Sequence, residues 1–293
     1  MNRNKERVSS LKEMVPDLDL SSEDFWKILS AIPLFISIGV LCVILAILAR
    51  GIKVLSFEFL FGSVLQDGIF EAIVGTIFLF AGTIVISLPL GLGAAIYLEK
   101  FAPKGSKIVY IINQSIDNLA GVPSIVIGLF GLTFFSRLLK FGKSLLSGWL
   151  TLTLMAFPII VKGTGEAIDS VPTSYEEAAL ALGATKWEAI RDNTLPVAAP
   201  AIITSAILAL VRVAGETAAI LFTASVFLTR GIPTSPFDAV ISLTYWLYVH
   251  LTEVPGGMQQ AFGVALLLFI MVFILEVLAL IVRTHYRKKM TGR

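Results

Sequence analysis

The sequence predicts an all-α polytopic membrane protein with six transmembrane helices. Of its 293 residues, 56% are hydrophobic and only 15% are charged, whereas soluble proteins carry about a quarter charged residues. The apolar residues are grouped into six runs near the length that a helix needs to cross a bilayer, roughly 20 residues. The net charge of +2, with basic residues at the ends of these runs, gives no indication of nucleic-acid binding.

The first apolar run is Ile28–Ala49, which follows a polar, basic N-terminal tail. It is longer than the ~7–15-residue apolar region of a signal peptide, so we predict a first transmembrane helix that is retained. Cys42 lies in this run and is the single cysteine. A disulfide within the chain is therefore excluded, and Cys42 is expected to be a small core or lipid-facing residue.

The second and third spans follow in order. Ile69–Leu98 is long, and its Pro89, Gly91 and Gly93 favour a kink. Leu119–Phe135 is shorter and opens with the sequence GVPSIVIG. We predict both to be transmembrane helices.

The last three spans are separated by very different connections. Leu145–Val161 is the fourth span, Ala198–Leu228 the fifth and Ala261–Val282 the sixth. A polar loop of residues 163–197 joins the fourth to the fifth, and a basic tail follows the sixth.

Lysine and arginine predict the orientation of these spans. Six spans place both termini on one side, and 16 of the 23 basic residues fall on that side, six on the other, with Arg212 inside the fifth span. Because basic residues concentrate in cytoplasmic segments, we predict cytoplasmic termini, although the outer loop at 137–143 holds three basic residues. The predicted segments are a cytoplasmic tail (1–27), the first helix with its outer loop (28–68), a permease-like core (69–283) and a cytoplasmic basic tail (284–293).

The loop 163–197 has the pattern of two short helices. Thr173 with Glu176, and Thr185 with Glu188, each have the spacing of a capping box, in which hydroxyl and carboxylate accept the free amide hydrogens at a helix start. We therefore predict that a helix begins at each threonine.

Between the two helices, Gly183 fits the position after a helix end that requires positive φ, and Pro196 is expected to end the second helix. Ala178, Ala179 and Leu182 would expose a small apolar face on this loop. An apolar face in a polar loop indicates a docking surface for a partner.

This loop resembles the EAA motif of ABC-transporter permeases, which consists of EAA, three residues, glycine, nine residues and then I-x-L-P. The matching residues are Glu177, Ala178, Ala179, Gly183, Leu195 and Pro196. Asn193 departs from the pattern, since the family usually has isoleucine or valine there. The resemblance implies a type-1 ABC importer permease fold, in which the coupling helix of this loop lodges in a groove of a cytoplasmic ATPase subunit.

Other stretches resemble the permeases of phosphate-specific ABC transporters, in particular the PstA type. They are GETAAILFTA at 215–224, NLAGVPSIVIGLFG at 118–131 and YEEAALALGATKWEAI at 175–190, and the resemblance extends over about residues 69–283. Ala219 and Ile220 depart, because such chains more often have proline and leucine there. Glu276 stands where an apolar or amide residue is expected.

The resemblance implies the partners and the location. They are a second homologous permease that shares the pathway, two ATPase subunits on the loop, an extracytoplasmic phosphate-binding protein on the outer loops, chiefly 229–257, and inorganic phosphate as the substrate. The chain would be a multi-pass protein of a prokaryotic cell membrane, surrounded by lipid and needing no cofactor.

The chain itself is expected to be a transport subunit and not an enzyme. Gly142-Lys143-Ser144 is similar to the end of a P-loop, but Arg137 occupies the position of the required first glycine. No HExxH metal motif occurs, and His250 and His285 are predicted on opposite sides of the membrane. ATP hydrolysis is therefore assigned to a separate chain, with no metal site here.

Arg212 and Glu216 are the main candidates for the substrate pathway. They are spaced i, i+4, as on one helix face, within an apolar run. A mid-membrane arginine costs on the order of 2.5–3.5 kcal/mol, and an ion pair with structural value alone would gain from replacement by leucines. We expect Arg212 to contact a phosphate, whose oxygens a guanidinium matches, and Glu216 to hold Arg212 and prevent overly tight binding. A purely structural ion pair remains the alternative.

Asn118 and Ser124 are further pathway candidates. Pro123 suits the first turn of a helix, where free amides can bind an anion. A simple helix start near the cytoplasmic face is the alternative.

Thr217, Thr223 and Ser225 share the predicted fifth span with Arg212. Thr217 is assigned to the pathway, although hydroxyls in such helices usually bond their own backbone. Glu276 could extend towards the interface or pair with Arg212.

Other functions remain open at this stage. An ion-coupled secondary transporter or channel would use Arg212 and Glu216 as a charge relay, but it leaves the EAA-like loop without a role and predicts an inverted repeat that is not evident. A membrane scaffold leaves Arg212 unexplained. Among ABC permeases, the tetrahedral oxyanions molybdate, tungstate and sulfate compete with phosphate, because one arginine does not distinguish them.

Overall fold

A computed structural model of the chain describes residues 23–291 except 104 and 230, and the side chains of residues 30–285 with the same two exceptions. Most of the predicted N-terminal tail and the last two residues lie outside the described part, as do the predicted basic residues Lys104 and Arg230. The chain divides into two compact units, Met1–Arg50 and Gly51–Arg293.

The first unit contains all but the last residue of one long helix, α1, which spans Glu23–Gly51. Its stretch Ser30–Gly51 is long and apolar enough to cross a bilayer, so the first predicted span is confirmed. The helix begins five residues before the predicted Ile28.

The second unit is built from helices of very different lengths. They are α2 (Phe57–Phe61), α3 (Phe70–Ile96), α4 (Lys107–Gly121), α5 (Ser124–Gly131), α6 (Leu145–Asp169), α7 (Ser174–Ala181), α8 (Lys186–Ala189), α9 (Leu195–Ala214), α10 (Ala218–Thr223), α11 (Leu243–Thr252) and α12 (Met258–Thr291). Three π-helical turns extend this set, namely Tyr97–Phe101 after α3, Leu132–Leu138 after α5 and Ile190–Thr194 between α8 and α9.

Within the described residues, five helical stretches are long and apolar enough to cross a membrane. They are Ser30–Gly51, Phe70–Phe101, Leu145–Asp169, Lys186–Ala214 and Met258–His285. A sixth arises if the bent pair Lys107–Gly121 and Ser124–Leu138 counts as one span. The predicted all-α polytopic architecture is confirmed.

The third predicted span is bent rather than preceded by a loop. Residues 107–118, expected to be a connection, belong to α4, and the axes of α4 and of the following helical stretch differ by 101°. Pro123 explains the bend, because it lacks an amide hydrogen and restricts Val122 to an extended conformation, which Val122 adopts with φ −68° and ψ 130°.

The fifth predicted span is interrupted, so the prediction of a continuous helix over Ala198–Leu228 is wrong. Helix α9 ends at Ala214, residues 215–217 are not helical, and the short α10 follows. The amide of Glu216 donates to the carbonyl of Val213 at 3.0 Å, a three-residue spacing that closes the last turn tightly.

Helix α6 lies at the centre of the second unit and packs against α3, α4, α5 and α9. Close approaches depend on small residues, as is usual in membranes. A Cβ on Gly128 of α5 would lie 2.9 Å from the Cα of Ala219 in α10, and one on Gly131 would lie 2.8 Å from the side chain of Thr223. Helices α5 and α10 therefore pack backbone against backbone.

Candidate functional site

The break in the fifth span carries an ion pair between Arg212 and Glu216. Arg212 lies in the last turn of α9, and its guanidinium donates to the carboxylate of Glu216. The i, i+4 spacing is retained, but the prediction that both residues lie on one helix face is wrong, because Glu216 lies beyond the end of α9. The break brings the carboxylate back towards the last helical turn.

The two side chains differ strongly in exposure. The Glu216 side chain is 5% exposed and that of Arg212 is 55% exposed, while the Glu216 carbonyl accepts a hydrogen bond from Thr244 of α11 at 3.2 Å. A buried carboxylate requires a partner, and Arg212 provides it with part of its guanidinium. Its remaining N–H groups stay available to a ligand.

The break at 215–217 and the bend at Val122–Pro123 each precede one of two helices, α10 and α5, that pack against each other. Gly128 is in contact with Ala219, and Gly131 with Thr223, so α5 and α10 run in the same direction where they touch. Both interruptions lie within four residues of these contacts, at Ser124 on one side and at Thr217 on the other. Ser124 begins α5, with Pro123 in the cap position rather than in the first turn; Ser124 is half-buried, and Asn118 on α4 is exposed.

The hydroxyl groups of this region point in different directions. Thr223 is buried and donates to the carbonyl of Ala219 at 2.7 Å, and Ser225 is buried with its hydroxyl 3.1 Å from that of Ser242. They belong to α10 and to the segment after it, not to one continuous helix with Arg212. Thr217 precedes α10 and is half-buried, which leaves it accessible beside the ion pair.

Glu276 and the histidine of α11 lie apart from this ion pair. Glu276 is exposed on α12, and Arg212 is paired with Glu216 instead. His250 is buried, with Nδ1 3.0 Å from the carbonyl of Trp246. The described residues include no cluster of three His, Cys, Asp or Glu side chains that could hold a metal ion.

The EAA-like loop forms the two short helices that the sequence predicts. Helix α7 ends before Gly183, whose φ is +88°, as its position required. The capping box of Thr185 and Glu188 is present, with the Thr185 amide 2.8 Å from the Glu188 carboxylate. These hydrogen bonds from Thr185 hold the pKa of the Glu188 carboxyl below its usual value.

The second predicted capping box is absent, because the carboxylate of Glu176 bonds elsewhere. Thr173 makes no side-chain cap. Glu176 instead accepts from Thr194 at 2.8 Å and pairs with Lys100. Burial opposes the charged form, but the hydrogen bonds from Lys100 and Thr194 outweigh it and lower the pKa of Glu176.

Pro196 does not end the second helix as predicted. It lies in the first turn of α9, directly after the π-helical turn Ile190–Thr194. Proline cannot donate to the preceding turn and its ring needs space there, and the wider π-helical turn removes that conflict. The half-buried Leu195 packs against a cluster that includes Ile168 and Ile190.

The exposed apolar face of the loop is confirmed as a hollow of about 470 Å³. We call it the docking hollow; its lining residues are Ser174, Tyr175, Ala178, Ala179, Leu182, Ala184 and Asn193. The side chain of Leu182 is 90% exposed. Asn193, the departure from the motif, thus faces the hollow and adds a polar group to it.

Several polar contacts near the loop were missed by the sequence analysis. Lys100 pairs with Glu176, and Lys162 of α6 pairs with Asp117 of α4. A signal for α4 was present, since Ile108, Ile111, Ile112 and Ile116 have helical spacing. The ion-pair partners of Lys100 and Lys162 could not be predicted from a local pattern, because each partner lies on another element and is brought close by packing of the spans.

Comparisons with known proteins agree with this architecture. Residues 87–292 match the family described as "binding-protein-dependent transport system inner membrane component". The chain is 35% identical over 263 residues to the probable ABC transporter permease protein YqgI of Bacillus subtilis, covering 84% of this chain and 89% of that protein. It is 33% identical over 218 residues to the phosphate transport system permease protein PstA 1 of Mycobacterium tuberculosis, covering 74% and 70%.

Solved structures share the fold at lower identity. The inward-facing methionine ABC transporter MetNI aligns with a TM-score of 0.57 and 22% identity, over 75% of this chain and 95% of that chain. An amino acid ABC transporter crystallised with histidines aligns with a TM-score of 0.54 and 19% identity, over 73% and 92%. The predicted fold of type-1 ABC importer permeases is thereby confirmed.

Proposed function

The chain belongs to the family of binding-protein-dependent transport system inner membrane components, and from this premise we propose that it is the permease subunit of an ATP-driven importer of inorganic phosphate. Relatives in several species are phosphate transport system permease proteins, at 33–38% identity. The observation that carries the proposal is the exposed guanidinium of Arg212, held by the buried carboxylate of Glu216 at a break in an apolar span.

The first step of the argument concerns the direction in which Arg212 faces. An arginine inside a span avoids lipid and faces a protein interior or a water-filled pathway. Its side chain is 55% exposed on this single chain, so another surface must cover it in the membrane. We assign that surface to a second, homologous permease, with the translocation pathway between the two chains and both Asn118 and Ser124 beside it.

The second step concerns selectivity for an anion. Phosphate carries between one and two negative charges near neutral pH, and a guanidinium binds two of its oxygens at once. The carboxylate of Glu216 neutralises part of the charge of Arg212, which keeps binding weak enough for release. Thr217 would contribute its hydroxyl from the same break.

The third step concerns the energy source. Two ATPase subunits would dock on coupling loops, here through Ala178, Ala179 and Leu182 around the docking hollow. ATP-driven closure of the ATPase pair would move α7, and Glu176 would transmit this motion to the end of the second span through Lys100 and to the start of α9 through Thr194. The other residues that we assign to this coupling loop are Glu177, Gly183, Leu195 and Pro196. Hydrolysis of ATP in the separate ATPase chains would then return the spans to an inward-facing conformation.

The orientation follows from the docking loop. If the ATPases are cytoplasmic, both termini are cytoplasmic, in agreement with the distribution of basic residues. The outer loops, chiefly residues 229–257, would then receive phosphate from an extracytoplasmic binding protein. The membrane is the cell membrane of a prokaryote.

Two alternatives remain. A permease for molybdate, tungstate or sulfate would use the same arginine chemistry. An ion-coupled secondary transporter would need no ATPase, and it leaves the docking hollow without an occupant.

The decisive experiment is reconstitution of the chain in proteoliposomes with the second permease, ATPase and binding protein encoded beside it. Radioactive phosphate uptake is then measured with and without ATP, with sulfate and molybdate as competitors. We expect uptake that requires ATP and resists these competitors. Uptake driven by an ion gradient without the ATPase would refute the proposal.

A further inference from the structure

A second hollow, of about 590 Å³, lies on the side of the fold that carries the coupling loop. We call it the exit hollow. Gly163 and Glu166 of α6, Ala201 and Ser205 of α9 and Arg283 of α12 line it, together with Tyr175 at the start of the coupling loop. It therefore lies between three spans and the segment assigned to the ATPase.

The exit hollow opens along the face of α9 that carries Arg212. Residues spaced by three, four, seven or eleven positions share one face of a helix, and Ala201, Ser205, Leu208 and Arg212 follow this spacing. Leu208 is 50% exposed, so part of the face between Ser205 and Arg212 is left uncovered by the described chain. Ser205 is about 10 Å from Arg212 along the helix, towards the coupling loop, at 1.5 Å per residue.

The chemistry of the hollow comes mainly from one cation. The hydroxyls of Ser170, Thr204 and Ser205 donate to nearby backbone carbonyls, so they have no hydrogen left to offer an anion. Arg283 is exposed, and among the described residues no carboxylate lies within ion-pair distance of it. Its guanidinium is the cationic donor that the hollow offers to an oxyanion.

The opposing charge in the hollow is that of Glu166, which is exposed on α6. A carboxylate near a bound phosphate raises the energy of the bound state. The combination of one arginine with one carboxylate therefore repeats the composition of the site at Arg212 and Glu216, without a direct ion pair. Such a site binds a phosphate group weakly and releases it quickly.

We propose that the exit hollow is a second binding site for the transported phosphate, in which Arg283 receives the anion after it leaves Arg212. The proposal rests on the proposed function of the chain. Two cations beside one helix face form a stepwise route, which lowers the barrier between the middle of the membrane and the cytoplasm. The headgroup of a phospholipid has the same phosphate chemistry, so the test must separate the two sources.

The test is substrate protection of a cysteine inside the hollow. Ala201 is exposed in it, and the variant Ala201→Cys in a Cys42→Ala background carries one reactive thiol. The purified complex with its partner chains is labelled in detergent without nucleotide by a neutral maleimide. If bound phosphate blocks the thiol, the labelling rate falls by a factor of one plus the ratio of the phosphate concentration to its Kd. Phosphate at about ten times its Kd should therefore slow labelling by about tenfold.

Matched variants identify the residue responsible. Arg283→Gln should abolish the protection, and Arg283→Lys should retain part of it. Arg212→Gln should keep the protection, because the exit hollow remains intact, while uptake is lost. Sodium chloride at equal ionic strength should protect neither the parent nor any variant.

The outcomes separate this inference from the proposed function. ATP-dependent phosphate uptake without protection of the thiol introduced at position 201, or protection that persists in Arg283→Gln, overturns the exit site and leaves the importer intact. Protection by short-chain phospholipid but not by phosphate assigns the hollow to a lipid and also overturns it. A complex that transports no phosphate refutes the proposed function, whatever the labelling result.

Discussion

The hydroxyl of Thr194 donates to the carboxylate of Glu176 at 2.8 Å, which joins the coupling helix α7 to the turn that enters α9. Lys100, in the π-helical turn after α3, pairs with the same carboxylate. One side chain therefore links the docking loop to two spans. Thr194 is fully buried, so this hydrogen bond is protected from water.

We first predict that Glu176→Ala uncouples ATP hydrolysis from transport. It removes both contacts of the loop, and hydrogen bonds to charged groups contribute about 1.5–3 kcal/mol each. The amount of phosphate transported per ATP hydrolysed should fall severalfold, while the ATPase remains bound to the permease. Leu180→Ala, on the same helix, exposed and outside the lining of the docking hollow, is the control for loop integrity and should keep both spans connected to α7. An unchanged ratio in Glu176→Ala would contradict the prediction.

The same contact gives a pH dependence. The pKa of Glu176 is lowered from its usual value of 4.5, so its contribution to stability is present above that value and is lost as the pH falls through the lowered pKa. We expect the transport-to-hydrolysis ratio to be constant from neutral pH down to about pH 5 and to decline only in more acidic buffer. In Glu176→Gln this acidic decline should be absent; a decline that persists would assign it to another group.

For the ion pair at the break, we predict that Arg212→Ala abolishes phosphate uptake. The substitution also leaves Glu216 buried and unpaired, which costs about 3–5 kcal/mol and lowers the yield of folded complex. The double variant Arg212→Ala/Glu216→Gln should restore the yield, measured by size-exclusion chromatography, but not the uptake. If uptake returned with the yield, Arg212 would have a structural role only.

The docking hollow gives a prediction about assembly. Leu182→Asp should prevent copurification of the ATPase, because a charge would enter the most exposed apolar position of the hollow. Leu180→Asp is the matched control, since Leu180 is also exposed but does not line the hollow. Equal loss of the ATPase in both variants would contradict a specific docking surface.

A prediction for Gly183 follows from its φ of +88°. An L-residue in a left-handed conformation costs about 1–2 kcal/mol, so Gly183→Ala should shift the angle between α7 and α8 and weaken ATPase binding. Gly183→Asn should weaken it less, because asparagine tolerates positive φ better than alanine. The affinity of the purified permease for the ATPase provides the measurement. Equal affinities for wild type and Gly183→Ala would exclude a strained turn.

Much of the fold could be predicted because membrane spans and capped loops have local signals. The apolar runs located the first, second and sixth spans within several residues, and the spacing from Glu177 to Pro196 located the coupling loop. The break at Gly215 was missed because residues 198–228 form one apolar run in composition. Position 219 is alanine, whereas related permeases more often have proline there. Gly215 was therefore the one local signal of a helix end.

The contacts of the site could be predicted only where both partners are close in sequence. Arg212 and Glu216 are four residues apart and their ion pair was expected. Glu176 was assigned to a cap at Thr173 because the capping-box spacing is local, whereas its actual partners, Lys100 and Thr194, come from other elements. Packing of the spans determines which of these partners Glu176 contacts, and this packing cannot be predicted directly from one sequence.

The π-helical turn Ile190–Thr194 fixes the rotational phase of the span that carries Arg212. Each residue turns an α-helix by about 100° and advances it by about 1.5 Å, so deleting one residue from this turn would rotate the face of Arg212 and Ser205 away from its present neighbours. The coupling loop would keep its sequence and its docking hollow. The chain could then still bind its ATPase, but Arg212 would face different residues. The length of this one turn would therefore decide whether ATP hydrolysis drives transport.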